Sequence, residues 1–148
     1  MTLDDEIRGQ IFLLPEQPEI LDDWEDIADE LSDSFYWVGT KIDWSKTDCH
    51  KTLKLHGDYS IWLDEIKKFI HDCNINDVLS HSDDIFYIND SSLDCSVKLN
   101  FEQFYSFLKM AIINIPQHHY FFEKNKWCLV ISSEGYVDFG FSMVDKNK

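Results

Sequence analysis

Bases are scarce where acids are densest. The first 33 residues hold Arg8 against twelve acids, net −11, whereas the other 115 hold 16 acids and 12 lysines, net −4. At a formal −15 and a pI of about 4.5, such a surface repels nucleic acid and anionic membranes and attracts basic partners. Cysteine pairs are missing too. Cys49, Cys73, Cys95 and Cys128 form no CxxC, and a chain of 148 residues is long enough not to need the two disulfides they could make. The five glycines (Gly9, Gly39, Gly57, Gly135, Gly140) make neither a GxGxxG nor a Walker pattern, which removes the usual phosphate cradles. No apolar run approaches the ~20 residues of a membrane-spanning helix. "MTLDDEIRGQ" is acidic where a secretory leader is basic. The expectation is a cytoplasmic protein with reduced thiols. No repeat, low-complexity linker or compositional break divides the chain, so residues 1–148 read as one domain. A hydrophobic content of 44% with 15% aromatics argues for a folded globule.

The patterning that is present predicts helices first. In "TLDDEIRGQIFLL", Thr2 can cap a helix, Asp4, Asp5 and Glu6 suit the positive end of its dipole, and Leu3, Ile7, Ile11 and Leu14 share one face. Pro15 and Pro18 interrupt it. A second helix is expected from near Pro18 through "ILDDWEDIADELSD", with Ile20, Leu21, Trp24, Ile27, Ala28 and Leu31 at helical spacing. From Phe35 to Leu55 the pattern is hard to read, although aromatic and β-branched residues favour extended structure over Phe35 to Trp44. "SIWLDEIKKFIHDC" is an amphipathic helix with Ser60 as its expected cap and Trp62, Ile66, Phe69, Ile70 and Cys73 inward.

The second half predicts mostly strands. "DDIFYINDSSLDCSVKL" reads as two strands about a polar turn at Asn89 to Asp94. Asn100 and Gln103 approximate a capping box for the helix "FEQFYSFLKMAIINI", which Pro116 ends. "HHYFFEKNKWCLVISSEGYVDFGFSM" holds three strand-like runs, hence an antiparallel meander. In the last run Val137, Phe139, Phe141 and Met143 alternate with Tyr136, Asp138, Gly140 and Ser142, the pattern of a sheet with one covered face. The fold class is therefore α+β: an antiparallel sheet, built from the C-terminal meander and a hairpin, packed against several amphipathic helices.

Catalytic signatures are weak. "DCH" (Asp48, Cys49, His50), "HDC" (His71, Asp72, Cys73) and the pair His118–His119 lack the ligand spacing of HExxH or CxxC, and adjacent histidines on a regular strand point to opposite faces. Cys128 with His118 or His119 could form a nucleophile pair, but "WCLVIS" is an apolar strand in which cysteine is by default a small buried hydrophobe. No catalytic residue, metal or cofactor is expected. The aromatics interleave with acids rather than with a basic stripe, so a Phe- and Trp-rich core is the better reading than a nucleic-acid surface.

The acidic helix is the exception to this plainness. Asp22–Asp26, Glu25–Asp29, Asp26–Glu30 and Asp29–Asp33 are like-charged i, i+4 pairs, which together cost on the order of 1–2 kcal/mol. The dipole favours acids near the helix start and opposes those near its end, at Asp29, Glu30 and Asp33. One explanation is a solvated face that keeps the protein soluble. The other is a surface for a basic partner formed by Asp22, Asp23, Glu25, Asp26, Asp29, Glu30 and Asp33. Asp83, Asp84, Asp90 and Asp94 make a second acidic group that could serve instead.

The segment "IPQHHYFFEKNKWCLVISSEGYVDFGFS", about a fifth of the chain, resembles the ends of small bacterial immunity proteins of polymorphic toxin systems, especially contact-dependent growth inhibition. The features that carry the resemblance are a strand opening with Trp127, an acidic turn at Glu134 and Gly135, and Phe139–Gly140 in the last strand. It implies a cytoplasmic protein that binds and neutralises a cognate toxin domain, basic and of nuclease type, by stoichiometric occlusion. It implies no binding residue, because toxin-contacting positions vary between cognate pairs, and it leaves the oligomeric state open. Two rivals stand beside it: an acidic adaptor or DNA mimic that binds many basic proteins, and a hydrolase using His118 or Cys128.

Overall fold

The structure, a computed structural model, describes residues 2–89 and 93–144. Its centre is a seven-stranded antiparallel sheet in the order β1-β6-β5-β7-β8-β9-β4. The strands are β1 (Glu19–Leu21), β4 (Thr47–Lys54), β5 (Ile85–Asn89), β6 (Ser96–Leu99), β7 (His119–Glu123), β8 (Trp127–Ile131) and β9 (Tyr136–Ser142). A small separate hairpin pairs β2 (Trp37–Val38) with β3 (Lys41–Ile42). The helices are α1 (Leu3–Phe12), α2 (Trp24–Ser34), α3 (Tyr59–Asp72), α4 (Ile75–Ser80) and α5 (Phe101–Asn114). This is the expected α+β class, with the C-terminal meander and the β5–β6 hairpin in place.

Period-two alternation sorts the strand side chains into two cores. On one face Tyr87, Val97, Phe121, Leu129 and Phe139 pack against Ile7 and Ile11 of α1, Ile66 and Ile70 of α3, Leu79 of α4, and Phe104 and Leu108 of α5. On the other, Ile88, Tyr120, Phe122 and Cys128 pack against Ile27 and Leu31 of α2, Phe35, and Ile42 of the hairpin. The expectation of one covered face is thus corrected: α2 and the hairpin cover part of the second. Met143, expected on the inward alternation, lies beyond β9 and is exposed.

Several boundaries also differ from the sequence reading. Glu19–Leu21 is a strand, not the start of the acidic helix: Ile20 pairs with Val97 at the sheet edge and packs into the first core, which outweighs its helical spacing. The hard-to-read stretch contains the eight-residue strand β4, paired along β9. Helix α3 is capped by Asp58, whose carboxylate accepts from the Ser60 N–H, rather than by Ser60. Helix α4, which follows Asn74 in a left-handed conformation, has no counterpart in the sequence reading. The capping boxes Thr2–Asp5 and Asn100–Gln103 are both formed. The polar turn expected at Asn89 to Asp94 includes residues 90–92, outside the described part.

Candidate functional site

Helix α2 lies on the second face of the sheet, and its anchoring decides which carboxylates are available. Ile27 and Leu31 face the sheet, while Glu25, Asp26, Asp29 and Asp33 face solvent. The end of the helix is tied down by Ser34, whose hydroxyl accepts from the Asn125 N–H at 3.0 Å and whose carbonyl accepts from the Ser142 hydroxyl at 2.5 Å. At the other end Arg8 bridges Asp4 of α1, at 2.7 Å, and Asp22, at 2.8 Å. Hydrogen bonds to Asp4 and then Asp22 hold the Arg8 guanidinium above its ordinary pKa. The one base of the first 33 residues is therefore spent inside the acidic region.

Of the seven carboxylates predicted as a surface, Asp22 is taken by Arg8, and Glu30 is half-buried with Lys124 at 3.6 Å. Asp23, Glu25, Asp26, Asp29 and Asp33 are exposed and have no ion pair among the described residues. Because the helix begins at Trp24, Asp22–Asp26 is not a pair within it. Three like-charged i, i+4 pairs remain, costing about 0.6–1.5 kcal/mol together. The second acidic group does not assemble. Asp83 and Asp84 precede β5 at one end of the β5–β6 hairpin, Asp94 precedes β6 at the other, and Asp90 lies outside the described residues. Asp94 joins the first acidic region instead, its N–H donating to Asp4 at 3.1 Å.

A groove opens on the same sheet face, beyond the hairpin from α2. It encloses about 300 Å³ between Lys41, Ile42 and Trp44 on one side and the sheet residues Thr52, Tyr120, Val130, Tyr136 and Asp138 on the other. Along β9, Tyr136, Asp138 and Gly140 share this face. Gly140 makes room for its neighbour: a Cβ there would lie 2.7 Å from Thr47 Oγ1 and 3.2 Å from Trp44. Thr47 cannot easily yield, since its hydroxyl donates to the Trp44 carbonyl at 2.6 Å. Gly140→Ala is therefore expected to destabilise the fold by about 1–3 kcal/mol and to shift the Trp44 indole resonance, measured by urea unfolding and by NMR.

A β-bulge aims a histidine at Asp138, one of the groove's carboxylates. Between Asp48 and Lys51 the β4 register shifts by an extra residue, with Cys49 at a left-handed φ of 56°. His50 is thereby turned towards β9, where its Nε2 lies 2.8 Å from Asp138 Oδ1 and its ring stacks on Trp44 at 5.1 Å. His118 lines the groove's end, its Nδ1 accepting from the Ser133 N–H at 3.0 Å. His119, its neighbour, points the opposite way and meets the buried Tyr87 hydroxyl at 2.7 Å, as expected for consecutive residues at a strand start.

The hydrolase pairing finds no geometric support. Cys128 is fully buried opposite Phe122 and Gly140, with burial holding its thiol well above the ordinary range. His118 lies past the other end of β8, beside Ser133. Among the described residues, no three His, Cys, Asp or Glu side chains converge as a metal shell requires. Nor is any described helix long and apolar enough to cross a membrane. The sequence reading missed the groove. The alternation of Tyr136 and Asp138 was visible, but their meeting with Trp44 and His50 depends on the β4–β9 pairing. No protein-family model, no curated protein and no solved structure matches this chain.

Proposed function

We propose that this protein is an immunity-type inhibitor, acting in the cytoplasm, that neutralises a cognate basic toxin domain of nuclease type by stoichiometric, charge-complementary occlusion, without catalysis of its own. The observation that carries this reading is the set of five unpaired carboxylates, four on α2 and Asp23 just before it, on a helix tied to the protein at both ends. Their mutual repulsion works against the free fold and would turn into attraction against a partner's Lys and Arg. A field of this kind also steers association and speeds it at low salt. The resemblance of residues 115–142 to immunity proteins supports the same reading.

The test is protection of a sensitive bacterium that expresses the toxin domain encoded beside this protein. The natural protein should restore growth. The double variant Asp26→Lys, Asp29→Lys converts all three repulsive pairs of α2 into attractive ones. This offsets the loss of about 0.3–1 kcal/mol that a base at position 26 suffers against the helix dipole, so the variant should be at least as stable as the natural protein. It should nevertheless bind the toxin at least ~100-fold more weakly and fail to protect. Loss of protection could not then be ascribed to unfolding. If the variant protects fully, α2 is a solvated face and not the inhibitory surface. If the natural protein binds many unrelated basic proteins alike, the adaptor or DNA-mimic reading replaces this one.

A further inference from the structure

We infer that the groove between the hairpin and the sheet is the socket for one arginine side chain of the partner, its guanidinium seated on Asp138 between Tyr136 and Trp44. The inference rests on the proposal above that the partner is basic. Four observations carry it. The Asp138 side chain is only 20% exposed, its Oδ1 is engaged by His50, and its Oδ2 has no partner among the described residues. With Oδ1 engaged by His50 and acceptor capacity left on Oδ2, this partly exposed carboxylate offers a site to a donor that enters the groove. Aromatic rings flank it: Tyr136 lies two residues before it on the same face of β9, and Trp44, one face of which is covered by the His50 ring, sits over Gly140 two residues after it. Arginine is the side chain that both stacks on aromatic faces and donates to a carboxylate from a planar fork.

The size and charge of the groove fit as well. About 300 Å³ accommodates one long side chain rather than a folded segment, and Ile42, Tyr120 and Val130 offer apolar surface to its methylene stem. The groove's two carboxylates, Glu134 and Asp138, face one lysine, Lys41, which stands 3.6 Å from Glu134 with both side chains more than half exposed. Lys54 Nζ lies 6.0 Å over the Tyr136 ring, so this ring already attracts a cation of the chain itself. Arg8, the one arginine of the chain, is committed to Asp4 and Asp22 and cannot fill the socket.

The probe is Nα-acetyl-arginine amide, titrated into the ¹⁵N-labelled protein, with the citrulline analogue as its uncharged isostere. The arginine compound should move the Trp44 indole cross-peak and the amides of β9 around Asp138. The citrulline compound should bind at least ~10-fold more weakly. Asp138→Asn, which keeps an acceptor for His50, should bring arginine down to the citrulline level. Tyr136→Ala, at a residue 43% exposed and so removable without opening the core, should weaken arginine binding too. Equal binding of arginine and citrulline would overturn the inference. So would unchanged affinity in Asp138→Asn, or shifts confined to α2. Arginine binding without protection from the toxin would leave the socket standing and remove the inhibitor reading; protection with the Trp44 signal unmoved by arginine would do the reverse.

Discussion

Replacing Phe122 by alanine should destabilise the protein by about 3–5 kcal/mol, as much as the same change at its neighbour Phe121. The two are consecutive on β7 and point to opposite faces, and both are 0% exposed. Phe121 packs among Tyr87, Phe104 and Phe107 in the larger core. Phe122 belongs to the smaller core that holds Ile27 and Leu31 of α2, with Phe86 beside it at 5.8 Å between ring centroids. Were the second face open to solvent, Phe122→Ala would cost within about 0.5 kcal/mol. Urea unfolding of the two variants separates these cases. The defect should also be local: amide exchange in α2 should accelerate relative to α5 in Phe122→Ala and not in Phe121→Ala. A cost below ~1 kcal/mol at Phe122 would mean that α2 does not cover this face of the sheet. The point bears on function, because the carboxylates of α2 form a defined surface only while Ile27 and Leu31 hold the helix to the sheet.

What could be read from the sequence divides along the same line. The meander, the β5–β6 hairpin and helices α3 and α5 were legible because each carries a periodic apolar face, and the capping box of α5 marks its start. Ile20 and Leu21 misled because a three-residue edge strand is too short to show alternation and happened to continue the spacing of α2. Strand β4 was illegible for a different reason. Seven of its residues from Asp48 to Lys54 are mostly exposed at the sheet edge, and the bulge at Cys49 and His50 breaks the alternation that would have marked it. The acidic surface was found as a set, but its two exceptions, Asp22 and Glu30, were not. Their partners Arg8 and Lys124 come from α1 and the β7–β8 turn, which only tertiary packing brings near. The groove depends on contacts between residues such as His50 and Asp138, 88 positions apart. No local pattern encodes such a pairing.

Acid should cost this protein stability through His119. The ring is 5% exposed, and burial first, then the neighbouring charge of His118, pushes its pKa down to about 4 from an ordinary 6.5. The unfolded chain therefore takes up this proton from about pH 6.5 downward, while the folded protein resists until about pH 4. Stability falls with pH across that window, by roughly 3 kcal/mol in total, and the loss stops once both states are protonated. Protonation of surface carboxylates relieves self-repulsion in a chain of charge −15 and acts in the opposite sense, so the informative quantity is a difference between two proteins. His119→Gln keeps a neutral group able to bond the Tyr87 hydroxyl but cannot titrate. Urea unfolding at about pH 7 and about pH 4.5 should show the natural protein losing roughly 2 kcal/mol more than this variant. Equal losses would mean that the folded protein protonates His119 as readily as the unfolded chain does, and the ring would then have to reach water. That result would place both histidines of the pair on accessible surface, against the alternation that sends His118 to the groove and His119 into the core.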